Sequence, residues 1–193
     1  LEIWLQPAVA AAPTPKVATP LKAKPTTILE EAFNPPIEKY SGQIVEVKLG
    51  ATKGEGGTRG KSIIIGGEKS PAFYIFENPT PHPPVIAFDI FDTKIPLAKA
   101  VKMHVKEVME DPVAWAKLSV DKFGADMITL HLVSTDPLLK DTTPKEAAKT
   151  VEDVLQAVDV PLMVGGCGDT KKDMDVFEKV SEVAEGERLI INS

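Results

Sequence analysis

From residue 85 onward, short apolar runs alternate with longer amphipathic stretches, a pattern that predicts strands separated by helices. "VIAFDIF" (85–91), "ADMITLHLV" (125–133), "VPLMVGG" (160–166) and "RLIINS" (188–193) read as four strands. Because these runs are nearly continuous in apolar character, both faces are expected to be covered, as in a parallel sheet packed between or beneath helices. In the first intervening stretch, "PLAKAVKMHVKEVMED" (96–111), Leu97, Val101, Val105, Val108 and Met109 fall near one helical face. Asp111-Pro112 then restarts a helix as N-cap and first-turn proline; Trp115, Ala116 and Phe123 are its buried side, and Gly124 closes it. Thr143-Pro144-Lys145-Glu146 is a capping box with proline at N1, opening a helix whose stripe is Ala147, Val151, Val154, Leu155 and Val158. A last helix begins at Asp169 or Thr170, with Met174, Phe177 and Val180 expected inward.

Upstream the pattern is different. "QIVEVKL" (43–49) alternates apolar with polar positions and reads as a half-buried strand, as does "KSIIIGG" from Lys61, with a glycine-rich turn between them. Residues 42–84 are therefore expected to form a small β-rich extension, closed by the proline-dense "NPTPHPP" (78–84). Residues 6–25 are Ala, Pro and Lys with few large apolar groups, so they cannot bury enough surface to offset chain entropy, and residues 1–41 read as a tail or linker. Within them Ile28, Leu29 and Phe33 could dock a short helix before Pro35-Pro36 ends it.

The fold class expected is α/β. Strand-helix repetition alone leaves an open doubly wound sheet and a (β/α) barrel both open, but four strands are half of the eight a barrel needs. Residues 85–193 are accordingly read as the first half of a TIM barrel, and the final "RLIINS" as the edge at which such a barrel would be cut. Open strand edges in a half barrel would favour self-pairing and poor solubility.

Composition excludes several classes. A chain of 193 residues that is 43% hydrophobic and 26% charged is ordinary for a globular protein. No apolar run approaches the roughly 18–20 residues of a membrane span, and the N-terminal stretch lacks the basic front of a secretory signal, so a cytoplasmic location is expected. The net charge of −6 argues against nucleic-acid binding. One cysteine, Cys167, excludes an internal disulfide and cannot supply the four thiolates of an iron-sulfur cluster, so any such cluster would sit on a partner.

Candidate chemistry gathers where strands end. "GEGGTRGKS" (54–62) fails the phosphate-loop spacing, because Glu55 stands where glycine is required and a strand follows, so it reads as a β-turn. Polar groups mark the C-terminal ends of the strands, where α/β folds bind ligands: Asp89 and Asp92; Ser134, Thr135 and Asp136; Asn192 and Ser193. "GGCGD" (165–169) joins a strand to a helix, and Gly166, Cys167, Gly168 and Asp169 make either a tight turn or a cradle of backbone amides for an anion or a cofactor edge. Alternation places Thr129, His131 and Val133 on one side of the second strand; a histidine there is either a hydrogen-bonded core residue or a mouth residue. His82 and His104 show no metal-ligand spacing with it, and no nucleophile-base pair emerges.

Three long segments go further. "GGTRGKSIIIGGEKSPAFYIFENPTPHPPVIAFDIFD", "LAKAVKMHVKEVMEDPVAWAK" and "FGADMITLHLVSTDPLLKDTTPKEAAKTVEDVLQAVDVPLMVGG" closely resemble the small (delta) subunit family of the corrinoid iron-sulfur protein in the archaeal acetyl-CoA decarbonylase/synthase complex. The resemblance runs from about Gly56 to Ser193. It implies a TIM barrel paired with a large (gamma) subunit that carries the iron-sulfur cluster and a corrinoid bound at their interface. It also implies a role in passing a methyl group between a tetrahydropterin, or its pterin methyltransferase, and the nickel-iron-sulfur cluster of the acetyl-CoA synthase subunit. On this reading the chain is part of an enzyme complex without catalytic residues of its own. Asp89, His131, Ser134, Thr135, Asp136, Gly166, Cys167, Gly168, Asp169 and Asn192 form the expected corrinoid contact face. The barrel is also similar to pterin-dependent methyltransferases, which carry an acid or amide at the ends of the second and third strands. His131 and Gly165-Gly166 replace those groups here, whereas Asn192 matches at the fourth. A non-catalytic assembly subunit is the remaining alternative, for which alanine at Asp136 and Asp169 would leave methyl transfer unchanged.

Overall fold

A computed structural model of the chain describes residues 41–69 and 80–193. The tail expected over 1–41, with its helix near Phe33, lies outside the described residues apart from Ser41, as do residues 70–79 of the extension.

In the extension, β1 (Val47–Leu49) pairs antiparallel with β2 (Ile63–Ile65), Val47 opposite Ile65. The strand expected over 43–49 is thus shorter and less buried than its alternation suggests: Ile44, Val45 and Val47 are exposed, and only Leu49 enters the core. A two-stranded ribbon has no second layer to cover it.

The four apolar runs of residues 85–193 form one sheet in sequence order, β3 (Ala87–Phe91), β4 (Met127–His131), β5 (Leu162–Gly165) and β6 (Ile190–Asn192), every neighbouring pair parallel. The register places Asp89, Thr129, Met163 and Ile190 in one row, and Phe91, His131, Gly165 and Asn192 in the next row towards the C-terminal ends. The rows that alternate with these carry Ile90, Ile128, Leu130 and Val164, all fully buried beneath the helices.

Those helices are α1 (Lys99–Val105), α2 (Pro112–Asp121), α3 (Pro144–Ala157) and α4 (Thr170–Val183). The starts of α2, α3 and α4 follow the capping chemistry. Asp111 accepts a hydrogen bond from Ala114 N at 2.9 Å, Asp169 from Lys172 N at 2.8 Å, and Thr143 and Glu146 form the reciprocal capping box. The stripe Ala147, Val151, Val154 and Leu155 is buried as expected. Two expectations fail. Met174 is 68% exposed, and Val176 and Asp173 face inward instead, because the cap at Asp169 sets the phase of α4. Val101 is half exposed, because α1 spans only seven residues beside the edge strand β3.

The glycine-rich turn, expected as a simple β-turn, seals the N-terminal end of the sheet. Gly60 N donates to Asp159 O at 2.7 Å and Gly50 N to Arg188 O at 3.0 Å. Gly50 has φ +75°, and a Cβ there would lie 2.8 Å from the Pro161 ring, so no other residue fits this approach without a shift. Arg59, 3% exposed, uses every guanidinium N–H: Nε to Glu187 Oε2 (2.7 Å), Nη1 to Val158 O (2.6 Å) and Val160 O (3.4 Å), Nη2 to Leu155 O (2.6 Å) and Thr58 Oγ1 (2.6 Å). It thereby serves carbonyls at the C-terminal end of α3 that helix geometry leaves unpaired.

Candidate functional site at the C-terminal ends of the strands

With the N-terminal end occupied by the extension, the accessible polar groups of the sheet lie at its C-terminal mouth. Asp89 is exposed, and its carboxylate lies 3.3 Å from His131 Nε2. The His131 ring stacks on Phe91 with centroids 5.0 Å apart and planes 17° from parallel, and about a quarter of its side chain remains exposed. Its other flank abuts Gly165, where a Cβ would stand 2.8 Å from Nδ1. His131 is therefore a mouth residue held on three sides. Val133, expected to share its face, lies instead in a 3-10 turn (Val133–Thr135), because the chain leaves the sheet after His131.

Asp92, at the exit from β3, binds the exit from β4. Its Oδ1 accepts from Ser134 N at 2.9 Å and its Oδ2 accepts from Ser134 Oγ. Burial pushes the Asp92 carboxyl above its ordinary value, and the Ser134 hydrogen bonds oppose that rise without cancelling it. Ser134 and Thr135 are both buried, and the Thr135 hydroxyl donates to Leu132 O at 2.7 Å. These two candidate contact residues shape the rim from beneath, and their hydroxyls are not offered to a ligand. Asp136 organises the following loop, accepting from Leu138 N at 2.8 Å through Oδ1.

The "GGCGD" turn resolves the choice between cradle and tight turn in favour of the turn. Cys167 N (2.8 Å) and Gly168 N (3.0 Å) both donate to the Asp173 carboxylate from the first turn of α4, and Gly166 N donates to Asn192 O at 2.9 Å. The amides that could have received an anion are thus already occupied by a side chain of the same chain. Cys167 Sγ at 3.2 Å and Ser193 Oγ at 2.9 Å complete the shell of Asp173, which is 1% exposed. Burial by itself pushes the Asp173 carboxyl up, but these hydrogen bonds together outweigh it and hold the group below the usual carboxylate range. Asp173 is the residue that reasoning from strand ends missed. Its only sequence signal was a polar residue at a position that helical phase, counted from the Asp169 cap, turns inward.

The structure therefore brings Asp89, His131, the 166–168 turn and Asn192 to one mouth, with Asp89 and Asn192 exposed and His131 partly so. Asp169 is an N-cap on its margin. Among the described residues no group of three or more His, Cys, Asp or Glu could hold a metal ion, and no helix is long and apolar enough to cross a membrane. A depression of about 310 Å³ adjoins the mouth at Asp89 and lies along the edge strand β3, lined also by Phe88, Val101, His104, Trp115, Ser119 and Phe123. The Ser119 hydroxyl is buried without a hydrogen-bond partner among the described residues.

A family model described as CO dehydrogenase/acetyl-CoA synthase delta subunit matches residues 46–193. The acetyl-CoA decarbonylase/synthase complex subunit delta of Archaeoglobus fulgidus is 52% identical over 189 residues, covering 98% of this chain and 42% of that protein. The protein of the same description from Methanothermobacter thermautotrophicus is 48% identical over 196 residues, covering 100% of this chain and 47% of its own length. That from Methanocaldococcus jannaschii is 55% identical over 162 residues, 83% of this chain and 39% of its own. The chain spans less than half the length of these relatives.

Proposed function

The chain belongs to the CO dehydrogenase/acetyl-CoA synthase delta subunit family, and from that premise we propose that its sheet is the first four strand-helix units of a (β/α) barrel whose mouth caps a corrinoid held by the large subunit of an acetyl-CoA decarbonylase/synthase complex. The observation that carries this reading is the asymmetry of the sheet. Its N-terminal end is closed by Arg59 and the extension, whereas its C-terminal end presents Asp89, His131 and Asn192. Ligands of α/β barrels bind at that end. The edge of β3, unpaired among the described residues, and the depression beside it, with the Ser119 hydroxyl that finds no partner among them, are where further units of a barrel would pack.

The side chains at the mouth suit this cofactor class. A corrinoid arrives with its metal already ligated by the macrocycle and with a fringe of carboxamides, so it asks its cap for hydrogen-bonding groups and no ligand cluster. Asp89 can accept from an amide N–H, Asn192 can both donate and accept, and His131 is fixed in orientation by Phe91, Asp89 and Gly165. When bound, the corrinoid supplies the methyl-carrying centre. The chain's own residues would orient it and exclude water, in a cytoplasmic complex that passes a methyl group between a tetrahydropterin and the synthase subunit. No general acid or base is needed from the mouth for that task.

The test uses the full-length delta subunit with its large subunit. Corrinoid retention is followed by visible absorbance, alone and with the delta subunit as wild type, Asp89→Ala and Asn192→Ala. Wild type is expected to tighten retention, and each substitution to weaken that effect. Equal retention with and without the wild-type subunit would overturn the capping role. Tight binding of a methylpterin to the delta subunit by itself would favour a pterin-dependent methyltransferase instead, and unchanged methyl transfer in the mouth variants would favour an assembly role.

A further inference from the structure

The two ring nitrogens of His131 meet different surroundings, and the difference sets what this side chain offers a ligand. Nε2 lies 3.3 Å from the Asp89 carboxylate. A lone pair on Nε2 would face that negative charge, whereas an N–H is attracted to it, so the neutral ring carries its proton on Nε2. Nδ1 is then the acceptor. It meets no hydrogen-bond partner among the described residues, and it is not among the buried polar atoms left without one, so it opens to the mouth. Turning the ring over would set Cε1 against Asp89 in place of Nε2 and lose the contact. Phe91 holds the ring plane, stacked on His131 at 5.0 Å and packed in turn at 5.7 Å on Trp115, which is buried.

On the Nδ1 side the sheet continues with Gly165 and then Asn192, both in register with His131. A Cβ at Gly165 would stand 2.8 Å from Nδ1, in the space that a hydrogen-bonding group needs. Backbone groups around this notch are already taken: Gly165 O accepts from Leu132 N at 2.9 Å, and Gly166 N donates to Asn192 O at 2.9 Å. The notch therefore has an acceptor on one flank and, at Asn192, an exposed amide on the other. Those two groups select chemistry. An anion finds no donor at Nδ1 and is repelled by Asp89, and no cluster of metal-ligating side chains stands there among the described residues. A carboxamide, in contrast, donates one N–H to Nδ1 and exchanges a second hydrogen bond with Asn192. We propose that His131 is a preset acceptor, its Nε2–H turned to Asp89 and its Nδ1 open over Gly165 to an N–H of a carboxamide on the corrinoid rim, with Gly165 as the positioning residue that leaves the space. The inference rests on the capping reading and names the atom through which the mouth holds the cofactor. A pterin amide presents the same N–H chemistry, and the experiment separates the two sources.

The experiment uses the full-length delta subunit with the corrinoid-loaded large subunit. The side-chain amide of Asn reaches the position of Nδ1, and that of Gln the position of Nε2. His131→Gln is expected to weaken the corrinoid retention that the delta subunit confers by about fivefold or more, and His131→Asn to keep it within about twofold of wild type. Any other ranking of the two, including loss in neither, overturns the acceptor role and leaves the capping reading standing. Retention that wild type itself does not tighten sinks both. Nitrogen-15 shifts of the His131 ring, read at about pH 8 where free imidazole is neutral, are expected to show the proton on Nε2 and an Nδ1 signal that moves upfield when the loaded partner binds. A proton on Nδ1, or a signal that moves with a methylpterin and not with the corrinoid, overturns the assignment. So does a corrinoid absorbance change that reports nitrogen bound to cobalt, which would make the histidine a metal ligand. Gly165→Ala is expected to weaken retention in the wild-type background and to change nothing further in a His131→Ala background, where the Cβ has room. Equal losses in both backgrounds would remove its positioning role.

Discussion

Replacing Arg59 with methionine keeps the apolar stem of the side chain and removes all five N–H donors. What is left behind sets the magnitude. Glu187 is 7% exposed and would lose the one cation it meets among the described residues, and the carbonyls of Leu155, Val158 and Val160 would lose their shared donor. Breaking a buried pair by removing one partner costs about 3–5 kcal/mol, since the remaining charge stays desolvated. Thr58 Oγ1 still donates to Glu187 Oε1 at 2.8 Å, which holds the expected loss for Arg59→Met near the lower bound, about 3 kcal/mol. Arg59→Lys retains the charge but has three donors on a point charge in place of a planar fork, so it is expected to lose about half as much. The assay is denaturant unfolding of the full-length protein, comparing midpoints at constant slope. Adding Glu187→Gln should recover part of the loss, because the stranded charge is then gone. A loss below about 1 kcal/mol for Arg59→Met would refute the reasoning, since it would mean that water replaces the guanidinium at a site this structure closes.

Asp92→Asn is expected to preserve both contacts to Ser134, whereas Asp92→Ala strands a buried amide and hydroxyl and loses about 1–3 kcal/mol in thermal melts. Because burial raises the folded-state value of Asp92 above its ordinary 3.8, the folded state binds that proton more readily; stability from this group is highest at low pH and falls as pH rises from the ordinary value through the raised one. Asn should remove that segment of the pH dependence, seen as the difference between wild-type and variant stability profiles. Asp173 has the opposite sign: its lowered value contributes stability above the ordinary carboxylate range that is lost as pH falls through the folded-state value, and Asp173→Asn should flatten the acid limb of the same profile. Gly166→Ala would place a Cβ 2.3 Å from the Asp173 carboxyl and is expected to destabilise by about 1–3 kcal/mol and to speed amide exchange at Cys167 and Gly168. Thr143→Ala removes one half of the α3 capping box and should lower stability by about 1 kcal/mol, read in denaturant midpoints.

What the sequence determined by itself was local and periodic. The four apolar runs, the capping residues Asp111, Thr143 and Asp169, and the buried stripe of α3 depend on spacings of a few residues, where backbone geometry and side-chain chemistry act directly. The polar strand ends were legible for the same reason, and a parallel sheet gathers them at one end whatever its strand order. Long-range pairing was not legible. Nothing local marks Arg59 for burial against Glu187, 128 positions away, or Asp173 for the task of absorbing the amides of its own βα turn. Likewise Ser134 and Thr135 look like ligand-facing hydroxyls until Asp92 and Leu132 O take them. A buried polar group must find a partner, and which partner depends on the tertiary packing that buries it. That packing decided which of the strand-end groups support the mouth from within and which face outward from it.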